Sequence, residues 1–264
     1  MCYLQITTKC NFKCAHCCYS CTMRGKHGDY HTILDAISFA RSRDDSTISI
    51  GGGEPTLHPD FFKILKHCVE DFCYVWLATN GSQTKAMRRL CNIIEGCDFE
   101  SFDREDYCSC ECACVTEEEK DNCRCFDERY CEPIGLIYQE NKLSVALSQD
   151  CFHDPIDPWV VRTWASKAQR HSYSHYEIRD VTRSHSGVAA VGRAKKTGAG
   201  SSDHCVCSNI FIRPDGKIKL CGCARSPIIG DVWEGITEKW EDVINNDDGY
   251  RDINCYKGVK NGKN

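Results

Sequence analysis

The chain of 264 residues has no apolar run approaching the roughly 18 residues that a membrane helix needs. Its start, Met1-Cys2-Tyr3-Leu4-Gln5-Ile6, shows no basic n-region, apolar h-region or small-residue cleavage site. Both absences predict a soluble, cytoplasmic protein with no membrane partner. No internal repeat or extended low-complexity tract is present, and the length is far from that of a mini-protein scaffold. Lys/Arg–aromatic interleaving of the kind that marks a nucleic-acid surface is also missing. Ordinary apolar content is thin. Hydrophobic residues total 41%, but cysteine is counted among them, and without it roughly 32% remains.

What the chain has in excess is cysteine, 23 residues. That density belongs to short disulfide scaffolds, and this chain is several times too long for the class. In a reducing compartment disulfides do not persist, and an odd total cannot pair completely, so clustered cysteines read as thiolate ligands or redox groups. Iron–sulfur and zinc are the leading candidates, and part of the fold is expected to be held by metal. The formal net charge of -5 favours no partner class, but its placement is uneven. Residues 98–132 hold 13 acids and 4 bases, whereas 162–196 hold 8 bases and 2 acids. That basic stretch, with Arg162, Arg170, Arg179, Arg183 and Arg193, either faces an anionic substrate or solvates helices.

Strand-like and helix-periodic runs alternate. Strands are predicted at Tyr3–Thr7, Thr47–Ile50, Tyr74–Thr79, Leu143–Leu147, Tyr176–Val181 and Val188–Val191, and helices at His31–Arg43, Phe61–Val69, Met87–Ile94 and Trp159–Gln169. Such a sequence of units implies a parallel sheet with right-handed crossovers, an α/β fold. Residues 97–131 break the rhythm with eight cysteines (97, 108, 110, 112, 114, 123, 125 and 131) among acids, which marks an insertion. Lys195–Ser202 reads as a linker. Beyond it, Ile210–Arg213, Pro214-Asp215-Gly216 and Lys217–Leu220 signal a hairpin, followed by a helix near Glu238–Ile244.

Directly after the first strand comes Cys10-Asn11-Phe12-Lys13-Cys14-Ala15-His16-Cys17. Three thiolates at this spacing can bind three irons of a [4Fe–4S] cube and leave the fourth iron open. The spacing alone also permits a zinc site completed by Cys18, Cys21 or His16. The second strand ends in Gly51-Gly52-Gly53-Glu54-Pro55 and the third in Thr79-Asn80-Gly81. In a βα fold those C-terminal strand ends are where active sites lie.

Together these motifs resemble the radical S-adenosylmethionine (SAM) superfamily over about residues 2–193, apart from the insertion. The resemblance implies a partial (βα)6 radical SAM barrel over residues 1–200 and a small hairpin-helix, twitch-like region over 201–264. It also implies a [4Fe–4S] cluster on Cys10, Cys14 and Cys17 whose open iron is chelated by SAM. Gly52, Gly53 and Glu54 are then expected to hold the SAM amino group. Asn80, Ser148 and Asp150 are expected at its ribose and methionine, with Arg179 a weaker candidate. His16, where relatives often carry an aromatic residue, is expected to pack on adenine. Asp150-Cys151-Phe152-His153 resembles a post-strand segment of several members. The implied activity is reductive cleavage of SAM to methionine and a 5′-deoxyadenosyl radical that abstracts hydrogen from a substrate. The electron donor would be a reductase, flavodoxin or ferredoxin.

Cys205-x10-Gly216-x4-Cys221 resembles the opening half of the SPASM pattern, and Gly192-Arg193-Ala194 the turn that often precedes it. With Cys205, Cys221, Cys223 and Cys255 as ligands, and Cys207 in reserve, the shorter twitch form with one auxiliary iron–sulfur cluster is expected. In the insertion, alternating Cys108, Cys110, Cys112 and Cys114 would share one face of an extended segment, where a further metal can be chelated. SPASM and twitch relatives often modify peptides or proteins, which is the favoured substrate class; a nucleotide, nucleic acid or other small anion is the alternative. A non-catalytic iron–sulfur or zinc protein is the reading from another class, against which the Gly52–Glu54 strand end argues.

Overall fold

In the computed structural model the described residues are 1–95, 142–170, 175–180, 192–200, 210–222 and 226–245. The insertion at 97–131, the strand expected at Val188–Val191, and Arg183, Cys205, Cys207, Cys223 and Cys255 lie outside them.

The fold is α/β. Strands β1 (Cys2–Thr7), β2 (Thr47–Gly52), β3 (Tyr74–Thr79), β4 (Leu143–Ser148) and β5 (Tyr176–Arg179) pair in parallel. Helices α1 (Tyr30–Ser42), α2 (Phe61–Asp71), α3 (Thr84–Ile94) and α4 (Pro158–Arg170) alternate with them, and a short helix α5 (Gly192–Thr197) follows β5. Then come β6 (Ile210–Ile212), β7 (Lys217–Lys219), β8 (Ile228–Asp231), β9 (Gly235–Ile236) and α6 (Glu238–Asn245). One sheet holds all nine strands in the order β5-β4-β3-β2-β1-β6-β7-β8-β9. The expected hairpin is β6–β7, and it joins the sheet through parallel pairing of β6 with β1. Among the described residues the sixth parallel strand therefore lies beside β1 and not beyond β5.

Alternation along the strands gives the sheet two unlike faces. Cys2, Leu4 and Ile6 of β1, Ile48 and Ile50 of β2, Val75 and Leu77 of β3, and Leu143, Val145 and Leu147 of β4 join buried residues of α1 to α4 in one core. Each fully buried Leu or Ile there contributes roughly 1.5–3 kcal/mol. The opposite face alternates aromatic and hydroxyl side chains: Tyr3, Ser49, Trp76 and Ser144 align across four strands. Helix α1 is capped by Asp29, whose carboxylate accepts from Thr32 N at 3.1 Å, worth about 1 kcal/mol.

One expected element differs. Lys195, Lys196 and Thr197, read as the start of a linker, belong to α5, and Thr197 Oγ1 donates to the carbonyl of Ala15 at 2.8 Å. Its Gly/Lys/Ser composition hides the helix because only Ala194 is fully buried, and tertiary hydrogen bonds hold it in place. No helix among the described residues is long and apolar enough to cross a membrane.

Candidate cluster and SAM site

The loop after β1 leaves and returns along itself. Thr8 N donates to Lys26 O (2.9 Å), Cys10 N to Thr22 O (3.0 Å) and Gly28 N to Ile6 O (2.9 Å), so Thr22–Gly28 runs back beside Ile6–Cys10. Residues 11–21 are the excursion; Cys10 stands at its root, and Cys14, Cys17, Cys18 and Cys21 lie within it. Buried His58 locks the return by donating from Nε2 to Gly28 O at 3.0 Å while its Nδ1 accepts from Asp60 N. The end of β2 grips the root: Gly53 N donates to Thr7 O at 2.7 Å and Glu54 N to Lys9 O at 2.9 Å. A side chain on Gly53 would not fit, since its Cβ would stand 2.1 Å from Lys9 O.

Cys10, Cys14 and Cys17 are all half-buried on this one loop. Burial pushes the Cys10 thiol up to about 11, opposed by the hydrogen bond from Phe12 N, and the Cys14 thiol up to about 12, reinforced by Cys10. Cys17 goes the other way, held below the thiol range chiefly by a hydrogen bond from the Cys21 side chain. Metal-free, the loop thus presents mostly protonated thiols, and ligation of a metal must release those protons.

Glu54, expected at the SAM amino group, stands just past β2. Its side chain is fully buried, and Oε1 accepts from Thr56 N (3.1 Å), Thr56 Oγ1 (2.6 Å) and Thr79 Oγ1 (2.7 Å) while Oε2 accepts from Asn80 N at 2.7 Å. Four protein donors engage the carboxylate, which ties the end of β2 to the end of β3. Burial raises its pKa against the pull of these bonds. Asn80, expected at SAM, is 7% exposed and turns to the loop, with Nδ2 donating to Asn11 Oδ1 at 3.0 Å and lying 3.9 Å from Cys10 Sγ. Asn11 in turn donates to Ser82 Oγ at 2.8 Å.

Past β4, His16, Asp150 and His153 converge with Phe152. The His16 ring lies 4.9 Å from Phe152 and 5.1 Å from His153, centroid to centroid. His153 Nδ1 donates to Asp150 Oδ1 at 2.7 Å, and Phe152 N to the same oxygen at 3.0 Å. Asp150 Oδ2 is buried without a hydrogen bond, as is His16 Nδ1. Burial lowers the His16 pKa despite the nearby Asp150 carboxylate, so the ring is a neutral imidazole at neutral pH. One donor atom from each of the three residues falls within 4.8 Å of the others, a set that can also hold a metal ion. Ser148 ends β4 in register with Arg179 of β5, whose guanidinium stands 5.0 Å over the Trp76 ring. Of the auxiliary ligands expected, only Cys221 is described; it is buried just past β7, with its N–H bonded to Ser226 Oγ at 3.1 Å.

Sequence reasoning passed over Asn11, Thr79 and His153 as site residues. The i,i+3 spacing of Asp150 and His153 was the available signal for the last; the other two act through partners far along the chain.

Known proteins resemble both the sequence and the fold. A model of the radical SAM superfamily matches residues 4–109. The mycofactocin maturase MftC of Mycobacterium ulcerans (strain Agy99) is 33% identical over 79 residues, 29% of this chain and 21% of that protein. Its counterpart from Mycobacterium tuberculosis (strain ATCC 25618 / H37Rv) is 33% identical over 79 residues, 29% and 20% of the two chains. The match spans about a fifth of these relatives' length. The crystal structure of BtrN in complex with AdoMet and 2-DOIA superposes with a TM-score of 0.55 at 13% identity, covering 98% of this chain and 86% of that one, a likeness of fold. With three cysteines on the loop after β1, and the Gly-rich end of β2 bonded to the root of that loop, residues 4–109 are similar to the radical SAM superfamily.

Proposed function

We propose that the protein is a radical SAM enzyme that binds a [4Fe–4S] cluster through Cys10, Cys14 and Cys17 and takes hydrogen from a peptide or protein substrate. When bound, the cluster and SAM supply one-electron cleavage of the sulfonium to methionine and a 5′-deoxyadenosyl radical. The supporting observation is that Asp150 Oδ2 and His16 Nδ1, both buried without a hydrogen bond, lie near each other, with His16 Nε2 3.9 Å from Asp150 Oδ2, beside three half-buried thiols. A buried acceptor without a donor is costly, so such an atom points to a ligand.

The residues fit the two groups. Three thiols on one loop are a donor set for iron, and they leave one iron coordination site open. Asp150 Oδ2 suits a hydroxyl donor such as a ribose, and the neutral His16 ring beside Phe152 suits a purine face. His153 keeps its Nδ1 proton on Asp150, which orients the carboxylate and disfavours ligation of a metal through that nitrogen. Gly52 and Gly53 offer the SAM amine backbone approached closely, and Glu54 fixes that backbone. Asn80 orients Cys10, with Ser148 at the neighbouring strand end. The sheet in this reading curves as a partial barrel, with the face of Tyr3, Ser49, Trp76 and Ser144 toward substrate.

The maturase relatives support a peptide or protein substrate over a small anion. A twitch-like region with an auxiliary cluster on Cys205, Cys221, Cys223 and Cys255 is part of the same proposal, supported by Cys221 standing buried at the foot of the β6–β7 hairpin. The test is anaerobic reconstitution with iron and sulfide, then dithionite and SAM. Release of 5′-deoxyadenosine that is lost on replacing Cys10, Cys14 and Cys17 by alanine is the expected result. Turnover surviving that triple change overturns the proposal.

A further inference from the structure

One residue of α5 bonds three carbonyls of the cysteine excursion. Arg193 N donates to Cys17 O at 2.9 Å, and its guanidinium donates from Nη1 to Cys14 O at 2.9 Å and from Nη2 to Cys21 O. Thr197, one turn on, takes Ala15 O. The approach is close enough to require glycine just before: Gly192 has φ +56°, and a Cβ there would stand 2.0 Å from Cys18 O. Residues about 175 positions apart are thus joined by a fork whose two arms fit two carbonyls at once, a geometry that a lysine cannot reproduce.

We propose that Arg193 is a positioning residue of the cluster loop, holding the backbone at Cys14, Cys17 and Cys21 while its fixed positive charge favours the reduced state of the cluster. The inference rests on the proposed function, since it takes Cys10, Cys14 and Cys17 as the ligands. Three carbonyls held by Arg193 fix where the ligand-bearing backbone runs, so the thiols meet three irons without first ordering the loop. A cube held by three thiolates is anionic and gains one more negative charge on reduction. A guanidinium that stays charged at all working pH values stabilises the reduced form more than the oxidised one. Second-sphere groups of this kind are levers on both metal retention and potential.

The test compares reconstituted wild-type protein with Arg193→Lys and Arg193→Gln. Two quantities are read: the midpoint potential of the cluster, by EPR-monitored titration with SAM present, and the rate of iron loss to a chelator. Sensitivity of the EPR signal to SAM singles out the cluster with an open iron. Arg193→Gln is expected to shift the potential downward and to lose iron severalfold faster. Arg193→Lys, which keeps the charge and loses the fork, is expected to stay near the wild-type potential yet lose iron as fast as the glutamine variant. An unchanged potential in Arg193→Gln, or an equal downward shift in both variants, overturns the assignment of the charge; wild-type iron retention in both overturns the positioning role. Should Arg193→Gln take up no cluster, Arg193→Lys decides: wild-type retention overturns the proposal, and faster loss at an unchanged potential supports it. The proposed function fails separately, through a wild-type EPR signal that ignores SAM or survives alanine at Cys10, Cys14 and Cys17.

Discussion

Glu54 is the residue at which two strand ends and the loop root meet, and removing its carboxylate strands four donors at once. Glu54→Ala should therefore destabilise the fold by about 3 kcal/mol, whereas Glu54→Gln, which keeps an acceptor and the volume, should cost about 1 kcal/mol. The charge has its own signature. Burial raises the folded-state pKa above the unfolded carboxylate value, so the native state holds the proton more tightly. Its contribution is then full below the unfolded pKa and is lost as pH rises through the folded one. Denaturation midpoints of the metal-free protein, followed upward from about pH 4, should show that decline in the wild type and not in Glu54→Gln. Equal pH slopes would mean that the carboxylate is ionised in both states. At this scale the sequence revealed residues whose chemistry is local. Cys10, Cys14 and Cys17 are legible because eight consecutive positions contain all three. The link Glu54 makes between two strand ends was not legible, because its partners Thr79 and Asn80 come from the next strand. Arg193 was visible as one of several basic residues and within the Gly192-Arg193-Ala194 turn, but not as a partner of the loop, since its three carbonyl partners lie far upstream.

The contact between β2 and the loop root depends on a missing side chain. With Gly53→Ala the new Cβ would meet Lys9 O at 2.1 Å and Cys10 Cβ at 3.0 Å. The backbone must then separate, breaking the bonds of Gly53 N to Thr7 O and Glu54 N to Lys9 O, a loss of about 2 kcal/mol. Because both bonds lie at a strand end and not in the core, the sheet should persist. The expected outcome is unchanged far-ultraviolet circular dichroism with reduced iron per chain after reconstitution; full iron uptake would show that the loop tolerates the displacement. Elements that meet the aliphatic core were legible from periodicity alone. In β1 to β4 the helix-facing positions are Leu, Ile, Val or Cys, and in α2 and α3 the buried residues recur at three and four positions. Strands β8 and β9 gave no such signal: they have four and two residues, and a turn from Asp231 to Gly235 joins them. Helix α5 escaped for a related reason, since its stability comes from the loop it clasps and not from an apolar face of its own.

At the scale of the molecule, the hairpin region is continuous with the parallel sheet, because β6 pairs with β1 over Cys2, Tyr3 and Leu4. Stacking crosses the same seam: the Phe211 ring lies 5.1 Å from Tyr3 and 5.3 Å from Tyr19 of the cysteine excursion. A Cβ on Gly222 would meet the Tyr19 ring at 2.2 Å, so the segment carrying Cys221 packs against the first loop. Cys221 is buried against Ser226 and its neighbours, whereas Cys10, Cys14 and Cys17 already form a three-thiol set of their own. A four-thiolate site using Cys221 would draw its remaining ligands from Cys205, Cys223 and Cys255. Replacing Cys10, Cys14 and Cys17 together by alanine should therefore leave protein that still binds iron and sulfide, about four of each per chain. Adding Cys221→Ala to that variant should remove them. Iron and sulfide analysis decides the matter. Zinc in place of iron would make the second site structural, and a triple variant free of metal would leave the loop as the sole centre and the buried Cys221 as a residue of the sheet's own packing.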